Sequence, residues 1–326
     1  MTPRISVALP VRNGANYIAA ALDSILAQTM ADFELVVSDN ASTDETNLIL
    51  GDYCARDARI KVSRSEQLLP LGANMNRAVG LASTPWVKLF CHDDLMRPDC
   101  LAVIVEAIDQ TQGRDLLLLC NGDRHLFENG HITSETKGSA RIERDGRDTV
   151  RRFLAGSLDC PLPSVTTATV NRTAFDAIGG FNQRFEHFDT FCWLRLLMTT
   201  GYIYLPDTLT TIRVHGEQVT TASRRALGWA TDYHKFLAEF VAAHGQELGL
   251  STATRLRVGL KPSNIAAKSL VSEMRAGRWS DVRSMIGKMP YRWLPLLPPL
   301  VARAWLIERR RTSTLKGVVS PDLISP

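Results

Sequence analysis

The sequence lacks cysteines at metal-ligand spacing. Its six cysteines, Cys54, Cys91, Cys100, Cys120, Cys160 and Cys192, are scattered without a CxxC pair. That pattern argues against a zinc site and a disulfide framework, and for reduced thiols in a cytosolic setting. It also lacks any uninterrupted run of about 18 apolar residues, so no membrane-spanning helix is expected. Charge of one sign is scarce. The net charge is +4 over 326 residues, and no Lys/Arg stripe is interleaved with aromatics, which argues against nucleic acid as a partner. The loop after the first expected strand contains no GxGxxG, against a dinucleotide dehydrogenase, and no GxxxxGK[ST], against a P-loop NTPase. No internal repeat stands out. The first strand is expected within a few residues of Met1, which leaves no room for a signal peptide.

What is present is ordinary globular composition, 45% hydrophobic and 22% charged, in a chain long enough for one catalytic domain and an appendage. Ile5-Ser6-Val7-Ala8-Leu9-Pro10 reads as a strand ending in PVRNG. Tyr17, Ile18, Ala21, Leu22, Ile25 and Leu26 then share one helical face. Residues 33–37 form a second strand running into SDNASTD, where Ser42 or Thr43 is placed to cap the next helix. A short strand at 60–62, a helix opening at Gly72, and apolar runs at 86–91 and 116–120 follow. Strands alternating with helices over short connections predict an α/β fold with a doubly wound, mainly parallel sheet and helices on both faces. Residues 121–148 read as a loop-rich excursion, broken by Gly122, Gly130, Gly138 and Gly146. A helix at 189–198 and strand structure at 202–214 come next, and from about residue 223 the chain reads as helical and basic.

The stretch 86–95, WVKLFCHDDL, organises the functional reading. Its apolar strand ends at His92-Asp93-Asp94, and in open α/β sheets ligands sit beyond the carboxyl ends of the strands. Paired carboxylates there are hard oxygen donors suited to Mg²⁺ or Mn²⁺ with a phosphorylated ligand. The plainer alternative is a solvated turn. PVRNG, SDNASTD and CHDD are three such polar strand ends, which together resemble a nucleotide site.

The ordered set of motifs is similar to that of family 2 glycosyltransferases with the GT-A fold. It comprises Pro10-Val11-Arg12-Asn13, Ser24-Ile25-Leu26-Ala27-Gln28, Asp39 to Asp44, Gly72 to Asn76 and Asp93-Asp94. Gly179-Gly180-Phe181, Asp189 with Trp193 and Arg195, and Arg213 with His215 complete it. The resemblance covers residues 3–220. It implies a GT-A domain over 1–222, with a nucleotide-binding half at 1–120 and an acceptor-side half at 121–222. Residues 223–326 lie outside it.

The resemblance also implies roles. Asp39 would accept a hydrogen bond from the nucleotide base, with Pro10, Arg12 and Asn13 lining the pocket; the alternative for Asp39 is a helix cap. Asp93 matches the last Asp of the DxD metal motif and would bind the donor diphosphate through Mg²⁺ or Mn²⁺. Cys91 stands where that motif has its first Asp, so metal affinity would rest on Asp93 with help from Asp94 or His215. Asp189 would be the general base, with Trp193 walling the site and Glu186 and His187 as substitutes; its alternative is an N-cap. The implied reaction is inverting transfer of a sugar from a nucleotide-diphospho-sugar to the hydroxyl of a saccharide or lipid-linked acceptor, as in cell-surface polysaccharide or glycolipid synthesis. Two other readings stay open: a sugar-phosphate nucleotidyltransferase, disfavoured by a first loop poor in Gly and Lys/Arg, and a non-catalytic membrane-associated scaffold. Trp, Leu and Pro crowd residues 291–306, ahead of Arg309-Arg310-Arg311. This is the pattern of a segment lying on an anionic membrane face, here the cytoplasmic one, or equally of a packed helical appendage.

Overall fold

The computed structural model describes residues 2–111, 116–134, 140–182, 184–185, 188–216, 228–275 and 277–288. The chain divides into two compact units, Met1–Gly216 and Glu217–Pro326. The boundary expected after residue 222 falls among residues outside that description, as do Glu186, His187 and the 291–311 segment.

In the first unit, β1 (Ile5–Val11) and β2 (Phe33–Asp39) are buried at every position. Both faces of the sheet are therefore covered, and these strands read as near-continuous apolar runs. Successive side chains alternate between faces. Ile5, Val7, Leu9 and Val11 join Phe33, Leu35 and Val37 in one apolar cluster. The same cluster takes in α1 (Ile18–Leu26), Leu50 of α2 (Thr46–Arg56) and α4 (Cys100–Asp109). Side chains such as Ile18, Leu22 and Ile25, fully buried here, are each worth about 1.5–3 kcal/mol. On the opposite face α3 (Leu71–Gly80) seats Asn74 and Arg77 on the Ser38 hydroxyl, each at 2.7 Å.

The sheet order is β3-β2-β1-β4-β9-β6-β10-β5. β3 (Ile60–Arg64), β2, β1 and β4 (Trp86–Leu89) run parallel. β9 (Ala168–Asn171) enters antiparallel between β4 and β6 (Leu116–Phe127). β10 (Gly201–Val214) then runs parallel to β6, with β5 (Leu95–Met96) and β8 (Ile142–Asp145) antiparallel on it. β7 (Ile132–Ser134) pairs with β6, and helices α5 (Gly146–Ala155) and α6 (Arg172–Ala177) follow β8 and β9 in turn. The sheet is thus mixed, with its parallel block at the N-terminal side and helices on both faces.

Two local expectations are corrected. The described part of residues 121–148 is not a loop excursion: β6 continues through Asn121-Gly122-Asp123-Arg124-His125 to Phe127, and β7 and β8 follow. The far half of β6 stays extended because β10 pairs with it through Val214 across register shifts near Leu205 and Thr208. Backbone pairing holds it without an apolar run. Nor does Ser42 or Thr43 cap α2. Ser42 is turned back onto Asp39 and Asn13, and the Asp44 carboxylate takes the Thr46 amide at 3.1 Å instead.

The second unit contains helices Gly228–His244, Thr252–Arg275 and Trp279–Lys288. Among the described residues no helix is long and apolar enough to cross a membrane.

Candidate active site

The ends of β1 and β2 are tied into one rim. Asn13 adopts a left-handed backbone (φ 49°), which its short polar side chain tolerates. Its amide donates to the Ser42 hydroxyl at 2.9 Å, and its side-chain oxygen accepts the Thr43 amide at 2.8 Å. Gly14 follows because nothing larger fits: a Cβ there would lie 2.5 Å from the His92 ring and 2.7 Å from a Val11 methyl. Asp39 is fully buried at the end of β2. One of its oxygens accepts the Ser42 amide at 3.1 Å and the other the Arg64 guanidinium at 3.0 Å. Pro10 is buried opposite Ser38, whereas Arg12 is exposed at the rim. Four of the expected residues, Pro10, Arg12, Asn13 and Asp39, therefore share one edge of the sheet.

β4 ends at Leu89, and the CHDD turn is gripped from two sides. The Cys91 amide donates to the Thr166 hydroxyl at 3.1 Å, and that hydroxyl donates to Asp94 Oδ2. Asp94 Oδ1 accepts the Arg213 amide at 3.0 Å. Both oxygens of Asp94 are thus occupied by the protein. Burial, followed by the neighbouring charge of Asp93, pushes its carboxyl up to about 8. Asp93 Oδ2 lies 3.1 Å from His215 Nε2, so the two residues expected to hold metal are brought together. The imidazole stacks on Tyr17 at 4.4 Å between ring centroids, and the Arg213 guanidinium lies 5.6 Å from the same Tyr17 ring.

The donor set fits a divalent cation of the Mg²⁺ or Mn²⁺ kind. The Cys91 sulfur and one oxygen each from Asp93 and Asp94 lie within 4.8 Å of one another. His215 Nδ1 is buried without a partner among the described residues. Oxygen and imidazole donors suit these ions, whereas a thiol is soft. Burial, with the neighbouring carboxylates, raises the Cys91 thiol well above its usual range. Asp93 and His215 are the hard donors here that could hold such an ion.

Asp189 sits in the first turn of α7 (Phe188–Leu197). Its Oδ1 accepts the Thr190 amide at 2.6 Å, and burial raises its pKa. Trp193 does not wall the site. It is fully buried, donates its indole N–H to the Pro163 carbonyl at 2.8 Å and packs edge-on against Phe181. The indole therefore supports the 163–167 segment that delivers Thr166. Arg195 donates to the Ile178 carbonyl, behind the Gly179-Gly180 turn. Phe181 is bound from α3 by Asn76, which accepts its amide at 2.8 Å and donates to its carbonyl at 2.9 Å. Sequence reasoning missed Tyr17, Thr166 and Lys88. Of these only Lys88, a charge inside an apolar strand, left a signal in the sequence.

Comparison with known proteins gives the family and the fold. Glycosyl transferase family 2 matches residues 6–179. An uncharacterised glycosyltransferase of Rickettsia typhi is 25% identical over 231 residues, 69% of either chain. Residues 1–349 of S. aureus TarS, solved with UDP-GlcNAc, have the same fold with a TM-score of 0.61 at 16% identity, covering 92% of this chain and 80% of that one. The mannosyltransferase PcManGT from Pyrobaculum calidifontis, solved with GDP-Man and Mn²⁺, gives 0.58 at 18% identity, covering 94% and 87%.

Proposed function

The chain belongs to glycosyl transferase family 2, and from that premise we propose that it moves a sugar from a nucleotide-diphospho-sugar to an acceptor hydroxyl with inversion. The observation that carries this reading is the Asp93–His215 contact at 3.1 Å beside the rim holding Asp39. In the proposal Asp39 reads the base, with Pro10, Arg12 and Asn13 around it. Residues 1–120 bind the donor and 121–222 the acceptor. PcManGT was solved with Mn²⁺, and the donor set here suits Mn²⁺ or Mg²⁺ held by Asp93 and His215. When bound, that cation neutralises charge on the departing nucleoside diphosphate. Asp189 takes the proton of the acceptor hydroxyl, which attacks the anomeric carbon from the face opposite the leaving group. Burial makes Asp189 a stronger base than an ordinary Asp, which favours proton removal near neutral pH. Tyr17 stacks on the His215 ring that meets Asp93.

TarS and PcManGT were solved with UDP-GlcNAc and GDP-Man, so these two donors head the screen. The acceptor is a saccharide or a lipid-linked saccharide, and residues 223–326 are the candidate for contact with the cytoplasmic membrane face. A donor screen following nucleoside-diphosphate release, with and without lipid-linked acceptor, tests the reading. Release from one donor, stimulated by acceptor and by Mn²⁺ or Mg²⁺, is expected. Asp93→Asn should abolish the metal stimulation while the protein stays folded. Activity indifferent to chelator, or undiminished in Asp93→Asn, would remove the metal assignment. No turnover of any donor would favour the scaffold reading.

A further inference from the structure

Lys88 is fully buried in β4, beneath the CHDD turn. Its ammonium donates to the Asn121 side-chain oxygen at 2.8 Å and to the Thr166 carbonyl at 2.6 Å. Both acceptors are neutral. A buried ammonium is costly unless a carboxylate or a full set of hydrogen bonds replaces the lost water. Accordingly, burial lowers the pKa of Lys88. An apolar side chain of similar length would fill the same space at less cost, so packing alone does not account for the charge.

The two acceptors lead to opposite walls of the site. Thr166, held through its carbonyl, uses its hydroxyl to bind both Asp94 Oδ2 and the Cys91 amide. One residue thereby spans the turn that presents Asp93. Asn121, held through its oxygen, turns its amide onto the Gly122 carbonyl at 2.8 Å and the Thr210 hydroxyl of β10 at 3.1 Å. Further along the same strand, Arg213 donates its amide to Asp94, and His215 follows onto Asp93.

We infer that Lys88 is a positioning residue for the cation site: through Thr166 and Asn121 its ammonium fixes the two walls that hold Asp93 and His215 in register. Cation affinity then depends on a charge that never touches the cation. This inference rests on the reading of Asp93 and His215 as the metal site.

The test is Mn²⁺ affinity of the purified full chain without nucleotide sugar, read from the loss of the free-ion EPR signal. Urea unfolding is followed in parallel. Removing a group that orients metal ligands costs about 10–100-fold in affinity. Lys88→Met and Thr166→Val should each lose that much while remaining folded at the assay temperature. Thr166→Ser, which keeps the hydroxyl, should bind like wild type. If Lys88→Met does not fold, Asn121→Leu decides, because at similar volume it removes the acceptor through which the ammonium reaches β10, and it should lose affinity by the same factor. Wild-type affinity in the folded variants, a loss that tracks the unfolded fraction, or equal losses in Thr166→Ser and Thr166→Val would each overturn the inference. Wild-type protein that binds no Mn²⁺ would overturn the metal-site reading together with it. Unchanged variants beside a binding wild type would overturn this inference alone.

Discussion

In the proposed reaction one side chain, Asp189, serves two demands. Its carboxylate accepts the Thr190 amide in the first turn of α7, a bond that an asparagine oxygen would also make. Asp189→Asn should therefore leave the helix and donor binding intact, since Asn satisfies helix starts about as well as Asp. Transfer should fall by roughly 10²–10⁴-fold, because an amide cannot accept the proton. Measuring transfer rate and nucleoside-diphosphate affinity on the same variant checks this. Because burial raises the pKa of Asp189, the acid limb of the wild-type rate profile should lie above the range of an ordinary Asp. Equal transfer by the Asn variant would remove Asp189 from the chemistry. The contact between Asp93 and His215 was legible in the sequence because both residues belong to an ordered motif set. Thr166 was not, since a threonine in a loop is unremarkable until the fold lays its hydroxyl on Asp94.

At the scale of elements, helices and strands depart from their sequence signals for different reasons. The apolar face of α1 was readable from the spacing of Ile18, Leu22 and Ile25, all of them fully buried. The far half of β6 was not, because Asp123, Arg124 and His125 are held extended by β10 and not by burial. Trp193 lies where helical periodicity put it, on the face of Asp189, yet the core and the Pro163 carbonyl claim its ring. The second helix, α2, carries Gly51 at an exposed interior position with nothing within 4 Å of the place a Cβ would occupy. Glycine inside a helix costs about 0.5–1 kcal/mol relative to alanine. Gly51→Ala should therefore stabilise the protein by that amount in urea unfolding and leave sugar transfer unchanged. Destabilisation would mean that α2 requires its flexibility.

Across the whole molecule, one buried acid links stability to pH. Glu34 receives hydrogen bonds from Ser6 at 2.6 Å, the Ser83 amide at 2.6 Å and Lys61 at 2.7 Å. Burial by itself would raise its pKa, but these bonds outweigh that and lower it from 4.5 to about 2. A carboxyl depressed in the folded state adds stability that is complete above its unfolded pKa and is lost as pH falls through the folded one. That contribution is on the order of 3 kcal/mol. Wild-type stability should decline between pH 4.5 and about 2, and Glu34→Gln should lack this part of the slope in denaturant melts at stepped pH. The sheet order sets a timetable for synthesis as well. β3, β2, β1 and β4 can pair once residue 89 has left the ribosome, whereas β9 and β10 arrive only with residues 168–171 and 201–214. At about 5–20 residues per second, the wait for β10 is on the order of ten seconds. Until β9 arrives the nascent chain exposes one edge of β4 and a CHDD turn without Thr166, and until β10 arrives the turn also lacks Arg213. Stalled chains ending near residue 130 should resist protease in their first ninety or so residues and remain cleavable around the turn, which closes only after β9 has docked beside β4.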